Sequence, residues 1–130
     1  MGNAGLHSNK LPAVLIVEDE PLIRMDAVDM VNDAGFKTHE ASSADQAILL
    51  MDEHTDIGIL FTDIEMPGKM NGLELAAYVR DRWPPVMIIL ASGAIGLDET
   101  EFPEGALFFS KPYSAIQITA SLNDMRQKHG

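Results

Sequence analysis

Apolar and polar positions fall into alternating blocks along this chain. Ala13–Val17 (AVLIV) is a continuous apolar run closed by acids, the pattern of a strand covered on both faces. Leu22–Ala34 then sets Ile23, Ala27, Met30, Val31 and Ala34 against Arg24, Asp26, Asp29, Asn32 and Asp33. That spacing predicts an amphipathic helix, stopped by Gly35. Phe36–Glu40 reads as a short, weak strand. Ser43-Ala44-Asp45-Gln46 resembles a capping box that opens a helix to about His54. Ile57–Thr62 (IGILFT) predicts a second buried strand, followed by Asp63. Leu73–Trp83 predicts a helix ended by Pro84-Pro85. Val86–Ala91 (VMIILA) is a third buried strand. Ala106–Ser110 and a helix capped by Ser114 and reaching about Gln127 complete the series.

Strand and helix thus alternate five times with short connections, which predicts an α/β parallel sheet with right-handed crossovers and helices on both faces. The fourth unit departs from the rule. Gly96 and Pro103 leave six residues between them, under two helical turns. A helix that short is marginal, so the fourth crossover is expected to be a single turn or an irregular, mobile segment. Residues 1–11 are expected to form a disordered tail and residues 12–128 one domain. The chain ends soon after the last helix, so no effector domain is expected to follow.

Composition narrows the function. A length of 130 residues suits one domain, and 46% apolar with 22% charged residues is ordinary for a globular chain. There is no cysteine, which excludes disulfides and thiolate metal sites. A net charge of −11 opposes direct binding to a phosphate backbone. No apolar run approaches the ~20 residues of a membrane span, and the N-terminus lacks a signal-peptide core. The expected compartment is the cytoplasm.

Ligands of an open parallel sheet bind outside the C-terminal ends of its strands. Glu18, Asp19 and Glu20 follow the first strand, Asp63 the third, Ser92 the fourth and Lys111-Pro112 the fifth. Strands lie ~5 Å apart, so these side chains converge. Two carboxylates ~5 Å apart repel by about 3 kcal/mol at an effective dielectric near 20. Such a site either raises a carboxylate pKa or holds a cation. An all-oxygen donor set favours a hard ion, Mg²⁺ before Mn²⁺ or Ca²⁺. Lys111 is the only base between Arg82 and Arg126 and is placed to pair with Asp63 or with a phosphoryl group. His7, His39, His54 and His129 are scattered and read as structural or surface side chains.

With those residues in view, the sequence resembles the receiver domain of two-component response regulators. The matching segments are Val14–Glu20 (VLIVEDE), Leu60–Ala76 (LFTDIEMPGKMNGLELA), Ile89–Gly93 (ILASG) and Phe108–Ser114 (FFSKPYS). It is similar in particular to stand-alone, single-domain receivers with a Phe-Ala-Thr-Gly type motif after the fourth strand, matched in part by Leu90-Ala91-Ser92-Gly93. The resemblance implies a flavodoxin-like (βα)5 sheet, doubly wound, with strand order 2-1-3-4-5. It implies Asp63 as phospho-acceptor, and Mg²⁺ held by Asp19, by Glu18 through water, by Asp63 and by the backbone carbonyl of Glu65. Ser92 and Lys111 would contact the phosphoryl group, and Ser92 and Phe108 would serve as the switch. The donor would be a histidine kinase or phosphotransfer protein, and the output a phosphorylation-dependent contact with an unknown downstream protein, a phosphate sink or a relay.

Three departures accompany the resemblance. The loop from Asp63 to Gly72 is one residue longer than usual, with Lys69 or Met70 as the extra residue. Its Asn71-Gly72 stands where Asp-Gly is common and still suits a tight turn. The interval from Ser92 to Lys111 is short, and Phe108 has no hydroxyl. Glu65 reads either as a modulator of phosphoryl lifetime or as an exposed loop acid. Tyr113 reads either as a partner contact or as packing. Two other functions are compatible with these residues. One is a Mg²⁺-dependent phosphohydrolase with an aspartyl-phosphate intermediate and Glu65 as acid/base. The other is a pseudo-receiver that binds partners without phosphorylation.

Overall fold

The computed structural model describes residues 11–129. Residues 1–10 of the expected tail lie outside them; Leu11 is half-buried against the core. The elements are β1 (Ala13–Val17), α1 (Pro21–Asp33), β2 (Thr38–Ala41), α2 (Ala44–Glu53), β3 (Ile57–Asp63), α3 (Gly72–Arg82), β4 (Met87–Ser92), a 3₁₀ turn (Glu99–Glu101), β5 (Leu107–Ser110) and α4 (Ala115–His129). All strand pairs are parallel, in the order β2-β1-β3-β4-β5. This is the expected flavodoxin-like winding, and the fourth crossover is reduced to the expected single turn.

The continuous apolar runs are explained by their place in the sheet. Every residue of β1 is buried, as are all but one residue each of β3 and β4, which follow it in the sheet. Alternate strand residues serve opposite faces. Leu15, Leu60, Ile88 and Leu90 pack against Ala44, Ala47 and Met51 of α2 and Leu75, Ala76 and Val79 of α3. Val14, Ile16, Ile59, Phe61 and Ile89 pack against Ala27 and Val31 of α1 and Ile118, Leu122 and Met125 of α4. The edge strands β2 and β5 are only partly covered.

Helix ends follow the chemistry of their caps. Gly35 (φ 97°) closes α1: its N–H donates to the Asn32 carbonyl and Phe36 N–H to the Val31 carbonyl, which is a Schellman stop. Ser43 Oγ accepts from Gln46 N–H (3.2 Å), but the Gln46 side chain accepts from Ser42 rather than Ser43, so only half of the expected capping box forms. The complete box belongs to α3. There Asn71 Oδ1 accepts from Glu74 N–H and Glu74 Oε1 accepts from Asn71 N–H, both at 2.9 Å.

Candidate functional site

Four strand ends meet at the C-terminal edge of the sheet. β1 runs beside β3, so Glu18 and Asp19 emerge next to Asp63, and ligand oxygens of the three lie within 4.8 Å of one another. β3 pairs with β4 through Asp63 opposite Ala91, which sets Ser92 one residue further along. β4 and β5 stay in register to Ser110, and Lys111 N–H donates to the Ser92 carbonyl. Lys111 thereby reaches back across two strands. Its ammonium lies 2.9 Å from Glu18 Oε1 and 3.1 Å from Asp63 Oδ1.

Glu18 and Asp63 are buried, Asp19 half-buried and Glu20 exposed. Burial of the Asp63 carboxylate is the largest influence on it and raises its pKa. Lys111 opposes this, while the charges of Glu18 and Glu65 reinforce it, and the result is about 6 against an ordinary 3.8. Lys111 shows the converse. Burial alone would lower its pKa, but Glu18 and then Asp63 outweigh burial and raise it. A raised carboxylate pKa was one of the two outcomes expected of the clustered acids; at Asp63 burial rather than the neighbouring acids is its largest cause.

Asp63 Oδ1 is buried and accepts no hydrogen bond, and its close partner is the Lys111 ammonium, an ion pair at 3.1 Å. An orphaned buried carboxylate oxygen beside two further acids fits a hard cation with oxygen ligands. The residues present therefore suit Mg²⁺.

Ser92 is fully buried, and its Oγ donates to Glu65 Oε2 at 2.6 Å while accepting from Ala94 N–H. Glu65 is an exposed loop acid, as one of the two readings had it, yet its side chain turns back to the site. Its carboxylate holds the hydroxyl that a phosphoryl oxygen would use. Phe108 stands apart from the acids. It packs in the layer of α2 and α3, its ring 5.4 Å from that of Phe102 in the fourth crossover. Tyr113 is half-buried and sits 5.5 Å from the Phe61 ring, so packing describes it.

Gly72 is a further requirement of the site, and its reason differs from the turn expected from sequence. Its φ is unexceptional, but a Cβ there would lie 1.8 Å from the Asp63 carbonyl oxygen. Gly72 N–H donates to the Ile64 carbonyl (2.8 Å), which draws the start of α3 onto the acceptor strand. Only the absence of a side chain permits that approach. Beside Lys111 an apolar groove of about 380 Å³ runs between α1 and the β5–α4 connection, lined by Ile23, Asp26, Met30, Lys111, Pro112 and Tyr113.

Comparison with known proteins agrees with this geometry. The family model of the response regulator receiver domain matches residues 14–123. The chain is 33% identical over 119 residues to the sensor kinase CckA of Brucella abortus, covering 88% of this chain and 12% of that protein. It is 32% identical over 112 residues to the transcriptional regulatory protein PdtaR of Mycobacterium tuberculosis, covering 84% of this chain and 54% of that one. The chain thus spans about half, or less, of these curated relatives. A response regulator receiver domain from Clostridium thermocellum superposes with a TM-score of 0.83 at 24% identity, over 92% of this chain and 97% of that one. A receiver protein from Sinorhizobium medicae gives 0.83 at 23% identity, over 91% and 96%. At those identities the two structures speak for the fold. With the family match running from β1 into α4, they make this chain a member of the response regulator receiver domains of two-component signalling.

Proposed function

We propose that residues 12–128 act as a phospho-acceptor module in which Asp63 receives a phosphoryl group from a phosphohistidine on a kinase or phosphotransfer protein. One observation carries this reading: a buried carboxylate whose Oδ1 accepts no hydrogen bond, paired with an ammonium that Glu18 also holds. With a pKa of about 6, Asp63 is mostly ionised at neutral pH and needs no general base. A carboxylate oxygen attacks phosphorus, the phosphorus–nitrogen bond breaks, and the imidazole leaves with the bonding pair. Lys111 is placed to neutralise an equatorial oxygen. The Ser92 hydroxyl supplies a second donor once it leaves Glu65. Mg²⁺, held by Asp19, Asp63, the Glu65 carbonyl and, through water, Glu18, would add charge neutralisation when bound.

The groove beside Lys111 offers the donor protein an apolar surface next to the acceptor site. Leu22 and Met25 of α1 and Ile116 of α4 are exposed by 76%, 57% and 82%. Output then follows from the change at Ser92 and Phe108, as a protein contact, sink or relay in the cytoplasm. Among the described residues no helix is long and apolar enough to cross a membrane.

The test is incubation of the whole chain with acetyl phosphate, with Mg²⁺ and with chelator. A phosphoryl adduct that needs Mg²⁺ and decays to unmodified protein supports the reading. Sustained turnover of a small phosphomonoester would instead favour the phosphohydrolase, and absence of any adduct the pseudo-receiver.

A further inference from the structure

The four histidines look scattered along the chain, but the fold gathers two of them. β2 carries His39 past the C-terminal end of α2, where His54 is the capping residue, and past Asp56 at the entrance to β3. The two imidazole rings lie 4.2 Å apart, tilted by 30°. His39 Nε2 is 3.2 Å from Asp56 Oδ1. One nitrogen from each ring and one Asp56 oxygen lie within 4.8 Å of one another.

Each of the three is fixed by its backbone. His39 is paired with Leu15 in the sheet. His54 N–H donates to the Leu50 carbonyl (2.9 Å), and the Asp56 carbonyl accepts from Ala13 N–H (2.8 Å). His39 lies within a strand, and these backbone bonds pin His54 and Asp56 in the short turn between α2 and β3. Neighbouring ligands around a tetrahedral ion with bonds of 2.0–2.1 Å are about 3.3 Å apart, so the His39–Asp56 edge is already at that spacing.

We infer that His39, His54 and Asp56 form a second cation site, selective for a borderline transition metal of the Zn²⁺ class and separate from the acidic site at Asp63. Two imidazoles and one carboxylate suit Zn²⁺, Ni²⁺ or Cu²⁺ rather than Mg²⁺, which prefers oxygen alone. The carboxylate offsets part of the ion's charge, and water completes the coordination. Lys37 Nζ is 3.0 Å from the other carboxylate oxygen, Asp56 Oδ2, on a side chain 67% exposed. Such a surface pair is weak, so the ammonium yields to an incoming ion. Seven residues of extended chain, roughly 23 Å, separate Asp56 from Asp63, so the two sites load independently. A bound ion would clip the short edge strand β2 to the end of α2 and the start of β3.

Calorimetric titration of the whole chain with zinc chloride tests this. Asp63→Asn, which disables the acidic site, should still bind one zinc. His39→Gln and His54→Gln should each lose at least about tenfold in affinity, since removal of even an outer partner of a metal ligand costs roughly 10- to 100-fold. Unchanged zinc binding in both histidine variants, or no zinc binding by the unmodified chain, would overturn the proposal. Should a variant fold poorly, Co²⁺ titration of the unmodified chain by NMR decides the matter. Selective broadening of the His39 and His54 ring signals at low cobalt supports the site. Broadening centred on His7 or His129 refutes it.

Discussion

Two connections leave adjacent strands at the same edge of the sheet and reach opposite states. The one after β3 is locked. Ile64 and Met66 are buried in the core, Gly72 lies against the Asp63 carbonyl, and a complete capping box fixes the start of α3. The one after β4 is loosely held. Ile95 is 95% exposed and only one 3₁₀ turn forms, with tethers that include Arg80 donating to the Glu104 carbonyl, the Phe102–Phe108 ring contact and the partly buried Leu97 and Ala106. Chemistry at Asp63 needs a fixed nucleophile, and signalling needs a segment at the low-stability end of the fold. Ser92 joins the two, since it begins the loose connection and is bonded to Glu65 of the locked one.

The difference can be broken most severely at Gly72. Gly72→Ala should destabilise by about 3 kcal/mol, the upper end of overpacking costs, because the Asp63 carbonyl is backbone and cannot yield cheaply. Urea denaturation measures this, and a loss below about 1 kcal/mol would show that the loop is not locked.

Asp63→Asn sharpens the comparison in the opposite direction. The folded carboxyl has its pKa raised from 3.8 to about 6, so between those values the folded state binds more protons than the unfolded one. Stability therefore falls as pH rises through this window. At about 1.36 kcal/mol per unit, removing the charge should stabilise the metal-free protein at neutral pH by up to about 3 kcal/mol. The gain should vanish as pH approaches 4, as denaturation at several pH values will show.

Glu65→Ala frees the Ser92 hydroxyl. A hydrogen bond to a charged group contributes about 1.5 kcal/mol or more, so beryllofluoride should bind about tenfold more tightly. Unchanged affinity would mean that the bond does not compete with the phosphoryl group. The smallest effects separate the two connections directly. Asn71→Ala should cost about 1 kcal/mol through the lost cap, whereas Ile95→Ser should change stability by less than about 0.5 kcal/mol. Thermal melts of both variants suffice.

Legibility from sequence follows the same division. β1, β3 and β4 were readable because a strand covered on both faces must be apolar throughout. β1 has the expected bounds, whereas the ends of β3 and β4 shifted by a residue, since Asp63 and Ser92 are still paired in the ladder rather than beyond it. The convergence of Glu18, Asp19, Asp63 and Lys111 was readable because strand ends dictate it. Contacts that depend on side-chain choice were not. The spacing places Lys111 against Asp63, but nothing in it shows the second bond to Glu18 or Glu65 turning back to Ser92. Asn71-Gly72 read as a turn, whereas the structure requires a capping residue followed by a residue with no Cβ. His39 and His54 are distant in sequence and meet only because β2 passes the end of α2.

The central claim is that the buried carboxylate at the end of β3 is the nucleophile. Protein phosphorylated by acetyl phosphate with Mg²⁺, trapped by borohydride and mapped by peptide mass spectrometry, tests it most directly. The label should lie on Asp63 alone and vanish in Asp63→Asn. A label on Glu18, Asp19 or Glu65, or one that persists in Asp63→Asn, would contradict the account.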